Sequence, residues 1–215
     1  KEAINKFNPS AIVVVHTLGH PADMNSIIKL KKQYKIKVIE DAAGAMGAKY
    51  YNKNVGCLTD LGIFSFNGNK VLTTGSGGAL LTNSKYYFNK ATLLSNQGKK
   101  NTEYNYITSG YNYKMSNINA SLGLAQIKHF NKTLNKKRKI TKNYDNAFKK
   151  LSKFSIIPRN NDFKSSCWLY PLKMQSKKDA LSLISFLKKK NIETRLFWSN
   201  LSSQKPYKKY TSIIS

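Results

Sequence analysis

"AIVVVHTLGHPADMNSIIKLKKQYKIKVIED", Ala11 to Asp41, decides the fold class. Its first six residues form a continuous apolar, largely β-branched run, the pattern of a strand buried on both faces. Pro21 and Asp23 then suit a helix start, and Met24, Ile27, Ile28 and Leu30 give a helical apolar stripe. A short strand follows at Val38 to Ile39 and ends in Glu40 and Asp41. Strand, helix and strand of this length predict a βαβ unit, and hence a parallel sheet. Ligands of such sheets bind at the carboxyl ends of the strands, where Asp41 falls.

Working outward, "LGIFSF" reads as another buried strand, and "GALLTN" as one more after a group of glycines. "SKYYFNKATLLSNQG" reads as a helix that Gly98 can end. "YITSGYNYKMSN" has no periodicity and reads as a loop. From Asn117 to Leu151 one long helix is expected. Ile118, Leu122, Ala125, Leu134 and Ile140 are among its apolar positions, and Pro and Gly are absent after Gly123. Its lysine-rich latter half reads as a solvated face. "CWLYPLKM" (strand), "KKDALSLISFLKKKN" (helix) and "IETRLFW" (strand) then suggest a small α/β lobe. The expected division is 1–115 as part of a large domain, 116–150 as a connecting helix, and 151–215 as a small, incomplete C-terminal domain.

The 215 residues suffice for one or two domains with a real core, and the apolar content is that of a globular chain. The charge is unusual: 37 basic against 10 acidic residues, a formal +27. Only Arg138, Arg159 and Arg195 are arginine, and the lysines are spread along the whole chain. Nucleic-acid readers favour arginine and cluster their charge, so diffuse lysine makes a nucleic-acid binder the minority reading. Cys57 and Cys167 are far apart and lack metal spacing, which reads as reduced thiols in a cytoplasmic protein. No apolar run is long enough to span a membrane.

One lysine stands out by position. Lys70 follows the strand "LGIFSF", with Ser65, Asn67 and Asn69 near the strand end and Gly68, Gly75, Gly77 and Gly78 around it. Glycines permit close approach of the backbone to a ligand. A lysine held in such a turn can be desolvated, which lowers its pKa and makes it a nucleophile toward carbonyls. Asp41 is a candidate complementary anion. The pair suits pyridoxal phosphate, which needs a Schiff-base lysine, a carboxylate at the pyridine nitrogen, and a hydroxyl with backbone amides for the phosphate. A turn with a surface lysine has the same local pattern. The stretch is not a P-loop, because GxxxxGK[ST] is missing.

Three separated motifs in order carry a family resemblance over nearly the whole chain. "VIEDAAGAMGAKYYNKNVGCLTDLGIFSFNGNKVLTTGSGGALLTN" resembles the core of the DegT/DnrJ/EryC1/StrS sugar aminotransferases. "VVHTLGHPADMNSI" resembles the segment before it, and "SGYNYKMSNINASLGLAQI" a motif after it. The wording of "SFNGNK", "GYNYKMSNINA" and "ETRLFW" is most similar to the LegC-like branch. The resemblance implies part of a fold-type I large domain with a mostly parallel sheet, plus a small C-terminal α/β lobe. It implies pyridoxal phosphate as cofactor, and amino transfer from an amino acid such as glutamate to a nucleotide-linked 4-keto-6-deoxy sugar. That chemistry serves cell-surface polysaccharide or nonulosonic acid biosynthesis in the cytoplasm. It further implies that Lys70 is the Schiff-base lysine, Asp41 the carboxylate at the pyridine nitrogen and Ser65 a phosphate ligand. Asn112 matches an asparagine that reaches the phosphate in the partner subunit's site, which implies a homodimer. For His16 a substrate contact and a structural histidine are both open; for Arg195, a nucleotide-sugar contact and a salt bridge.

Departures from the pattern are equally specific. Gly44 stands where the family usually has Gln or Glu, and Ser202 where relatives commonly have histidine. Relatives are also longer, so the chain is expected to be a fragment that begins after theirs and stops early at "KKYTSIIS". The rival readings are an inactive or regulatory homologue, a sugar-dehydrating relative (disfavoured, since those replace the lysine with histidine), and the basic nucleic-acid binder.

Overall fold

In the computed structural model, which describes residues 1–100, 104–158 and 162–210, the βαβ unit forms where its residues call for it. A short helix α1 (Glu2–Phe7) precedes β1 (Ala11–Val15), α2 (Met24–Tyr34) and β2 (Lys37–Asp41). Asp23 caps α2, its carboxylate accepting from the Ser26 N–H. β1 and β2 pair in parallel from Ala11↔Lys37 to Val15↔Asp41. Two short strands, β3 (Lys49–Tyr50) and β4 (Lys53–Asn54), make a tight hairpin. Next, β5 (Leu61–Ser65) adds in parallel to β2, and β6 (Gly78–Leu81) returns antiparallel to β5. The sheet order is β1-β2-β5-β6, mixed and mostly parallel.

One face of this sheet is packed and the other is open. Val14 and Val38 lie under Met24 of α2, with Ala42, Ala45, Ala48, Tyr50 and Val55 completing the core. Val15, Asp41, Ile63 and Leu80 form one row across all four strands. In that row Val15 is 52% exposed and Leu80 50%, and Val13 on the same face of β1 is 59% exposed. Two-sided burial of "AIVVVH", expected from its unbroken apolar run, therefore holds for one side only. The run makes both faces apolar, but α2 and the segment after β2 cover only one.

Gly62 in β5 lies so close to the Gly56 backbone that an added Cβ would overlap the Gly56 carbonyl. Gly62→Ala is expected to destabilise the chain by about 1–3 kcal/mol through overpacking. Thermal melting reads this directly, and an unchanged midpoint would contradict the close approach.

The helix read from "SKYYFNKATLLSNQG" is α3 (Lys85–Ser95), capped by Ser84. It ends at Asn96, and Gly98 (φ +75°) then donates its N–H back to Leu93 O. The single helix expected from Asn117 to Leu151 is instead two, α4 (Asn117–Ile127) and α5 (Phe130–Phe148). No glycine or proline marks the break. The backbone tightens there, with His129 N–H bonded to Gln126 O three residues back.

The chain divides into two compact units: Pro9–Asn143 with Arg159–Tyr170, and Lys1–Asn8 with Tyr144–Pro158 and Pro171–Ser215. In the second, β7 (Phe154–Ser155) belongs with a later strand. Between them in sequence, β8 (Phe163–Lys164) joins β3 in the first unit, where Phe163 stacks on Tyr50 at 4.9 Å. β9 (Lys173–Met174) pairs with β7, and α6 (Lys177–Lys189) follows, capped by Ser176. The small unit thus departs from the expected 151–215 by including α1 and giving up the stretch around β8. The strand expected over "CWLYPLKM" shrinks to β9. Its first residues lie in the other unit, where Ser166 N–H bonds Gly19 O and the Trp168 indole bonds Asn69 O. "IETRLFW" forms no strand, and it is exposed along its length. Most of the early end read from "KKYTSIIS" falls on 211–215, outside the described residues. No helix among the described residues is long and apolar enough to cross a membrane.

Candidate active site

Lys70 sits in a loop that β5 and β6 define and α4 clamps. Phe66 N–H bonds Gly77 O, and Thr74 N–H bonds Phe66 O, so the loop closes on the strand end. Gly75 (φ +78°) and Gly77 (φ +100°) turn through the left-handed region that favours glycine. From α4, Gln126 accepts the Thr73 N–H, and the Asn119 amide donates to Thr74 O. At the loop's start Lys70 N–H bonds Asn67 O. The lysine therefore projects from a fixed backbone.

Its amine lies 3.4 Å from the centroid of the Trp168 ring. Burial pushes the Lys70 amine below the ordinary lysine value, and the nearby Asp41 carboxylate pulls the other way. Lys70 and Asp41 are thus brought together at the carboxyl ends of parallel strands. Asp41 closes β2. Its Oδ1 accepts the Ala43 N–H, while Oδ2 makes no hydrogen bond among the described residues. Ser65 ends β5, and its Oγ accepts the Asn67 N–H.

The other candidates lie elsewhere. His16 is 1% exposed and both its ring nitrogens are engaged inside the protein. Nδ1 accepts the Ala22 N–H, which leaves Nε2 to donate to Glu40 Oε2 at 3.1 Å. Of its two readings, the structural one matches this geometry. Glu40 is itself fully buried, and also accepts from Gly56 N–H, Leu58 N–H and the Thr59 hydroxyl. Burial alone would raise the Glu40 pKa, but these four donors outweigh it and hold the carboxyl below the ordinary glutamate value. Asn112 is exposed on the loop after α3, bridged through its backbone to Asn96. Arg195 belongs to the small unit, exposed and doubly bonded to Glu193 Oε1. Ser202 is in a short 3-10 turn, Leu201–Ser203, of the same unit.

Trp168 was not singled out by the sequence. Its place is explained by Gly44: an added Cβ there would clash with the edge of the Trp168 six-membered ring. The available signal was Gly44 itself, a side chain missing beside the motif aspartate.

These motifs occur together in known proteins. The sequence profile of the DegT/DnrJ/EryC1/StrS aminotransferase family matches residues 1–214. The chain belongs to this family. Among family relatives, it is 37% identical to the GDP-perosamine synthase of Escherichia coli O157:H7, over 86% of this chain and 50% of that protein. It is 39% identical to the UDP-4-amino-4,6-dideoxy-N-acetyl-beta-L-altrosamine transaminase of Campylobacter jejuni, over 78% of this chain and 46% of that protein. Its fold superposes on Helicobacter pylori PseC, an aminotransferase of pseudaminic acid biosynthesis, with a TM-score of 0.91. That match has 27% identity and covers 99% of this chain and 60% of PseC. The chain spans about half the length of the curated relatives it matches.

Proposed function

We propose that this chain supplies the lysine-bearing part of a pyridoxal phosphate-dependent aminotransferase of the cytoplasm. Its reaction moves an amino group from an amino acid, glutamate, to a nucleotide-linked 4-keto-6-deoxy sugar. The products feed cell-surface polysaccharide or nonulosonic acid synthesis. The observation that carries the reading is Lys70, a half-buried amine of lowered basicity beside Asp41 at the ends of parallel strands. The sugar class is supported by the relatives, whose names specify GDP- and UDP-linked amino sugars.

The donor set fits the cofactor. Lys70 offers a primary amine to a carbonyl, Asp41 a carboxylate with an unengaged oxygen, and Ser65 a hydroxyl at the head of a glycine-bearing loop. When bound, pyridoxal phosphate supplies the carbonyl that receives the amino group and the ring that accepts electrons. Asp41 Oδ2 would keep a proton on the ring nitrogen. Ser65 Oγ would hold the phosphate. Lys70 Nζ, once free, would take the proton from the donor carbon as base and return it as acid. Its lowered basicity suits this role, because more of it is the free amine near neutral pH. Asn112, exposed on its loop, would reach the phosphate held by a second copy, so the working form in this reading is a homodimer.

Nitrogen transfer tests the proposal. The protein is incubated with pyridoxal phosphate, 15N-glutamate and a UDP-linked 4-keto-6-deoxy sugar. The expected result is 15N in the sugar and 2-oxoglutarate in equal amount. A sugar that stays unlabelled while both substrates bind would overturn it.

A further inference from the structure

Lysine–aromatic pairs are frequent in so basic a chain, but one differs from the rest. Lys6–Phe7, Lys85–Phe88, Lys90–Tyr86 and Lys209–Tyr210 are close in sequence, with amine-to-ring distances of 5.2–5.9 Å. Lys99 lies 4.7 Å from Tyr104 and 5.4 Å from Tyr106 in the same way. The Lys70–Trp168 pair is the shortest among the described residues, at 3.4 Å, and it joins distant parts of the chain. It is also built into the protein. The Trp168 indole N–H donates to the carbonyl of Asn69, the residue before Lys70, at 2.8 Å and across 99 positions. The Trp168 carbonyl accepts from Lys137 of α5 at 3.3 Å. Two residues earlier, Ser166 Oγ donates to Gly44 O at 2.7 Å. Leu18, Val71, Leu134 and Phe130 pack around the ring, which is only 8% exposed. The ring edge fills the space over Gly44 that any larger residue would occupy.

We propose that Trp168 is a positioning residue for Lys70. Its indole face holds the amine at the carboxyl edge of the sheet and shields it from water, in a slot that exists because residue 44 is glycine. One ring thus fixes both the backbone before the lysine and the end of its side chain. The indole face attracts the ammonium. The buried ring also excludes water from it, which disfavours the charged form more, so the site as a whole favours the free amine although Asp41 pulls the other way. The charged groups facing this arrangement are Asp41 from β2 and Lys137 from α5. The inference rests on the reading of Lys70 as the cofactor-bearing lysine for its purpose, but not for its geometry, which is testable without cofactor.

The experiment is competitive acetylation of the cofactor-free full chain with acetic anhydride across pH, read lysine by lysine by mass spectrometry. In the native chain Lys70 is expected to reach half-labelling at lower pH than the exposed lysines. Trp168→Ala moves that point up onto theirs, so the free-amine fraction at neutral pH falls several-fold. Trp168→Phe, which keeps a ring face but loses the bond to Asn69 O, restores part of the difference. An unchanged far-UV circular dichroism spectrum and a cooperative melting transition show that the variants are folded. Gly44→Ala, which pushes the ring away from the other side, is expected to shift Lys70 in the same direction as Trp168→Ala. A Lys70 profile that does not move, or moves down, in folded Trp168→Ala and Gly44→Ala overturns the proposal. If the profiles shift as expected but pyridoxal phosphate never attaches to Lys70, the positioning stands and the cofactor reading fails.

Discussion

Lys70→Ala is expected to abolish covalent capture of pyridoxal phosphate at this site and to remove amino transfer. In the proposed reading the Lys70 amine both attacks the carbonyl beside Asp41 and shuttles the proton there. Removing a positioned general base and acid costs about 100- to 10,000-fold in rate, and loss of the covalent anchor adds to that. The fold should survive, because Lys70 is only partly buried and its backbone N–H bond to Asn67 O does not need the side chain. An unchanged melting midpoint with complete loss of capture is the expected pair of results. Residual turnover near the native rate would mean that another group does the chemistry.

Glu40→Ala should have the largest effect on stability. The substitution leaves His16 Nε2, the Gly56 and Leu58 N–H groups and the Thr59 hydroxyl without their buried acceptor. Breaking a buried charged network in this way costs about 3–5 kcal/mol, against a typical total of about 5–15 kcal/mol. Urea unfolding measures it, and a cost under about 1 kcal/mol would show that water replaces the carboxylate. The network also sets an acid limit. The folded Glu40 carboxyl titrates below the ordinary glutamate value, so the unfolded chain takes up this proton first as pH falls. The stabilisation is complete above that value and is lost as pH drops through the folded value. Asp60, bonded to Val38 N–H and paired with Lys31, is likewise held low and acts in the same direction. Melting curves should therefore be flat with respect to these groups at neutral pH and fall in acid, less steeply in Glu40→Gln.

Local patterns made part of this legible from residues alone. The unbroken apolar run, the Asp23 cap and the helical stripe fixed β1, α2 and β2 within a residue or two. Asp41 closes β2 and Lys70 lies in the loop after β5, so their positions mark out a candidate site from the sequence alone. What could not be read is what depends on contacts between distant segments. The pairing of β3 with β8 and the Trp168 bond to Asn69 leave no local period. The break between α4 and α5 carries no glycine or proline, so an apolar pattern running through it looked continuous. His16 could not be placed because its role depends on Glu40, which lies 24 residues away on the neighbouring strand. Gly44 was visible as an unusual residue, but only the Trp168 ring above it gives the reason.

The central claim is that Lys70, among so many lysines, is the one that holds the cofactor. The direct measurement is to incubate the protein with pyridoxal phosphate, reduce with borohydride, digest, and locate the phosphopyridoxyl group by mass spectrometry. The account requires stable modification at Lys70 at stoichiometric cofactor, lost in Lys70→Ala and unchanged by a surface variant such as Lys178→Ala. Modification scattered over exposed lysines, with Lys70 unlabelled in folded protein, would contradict it.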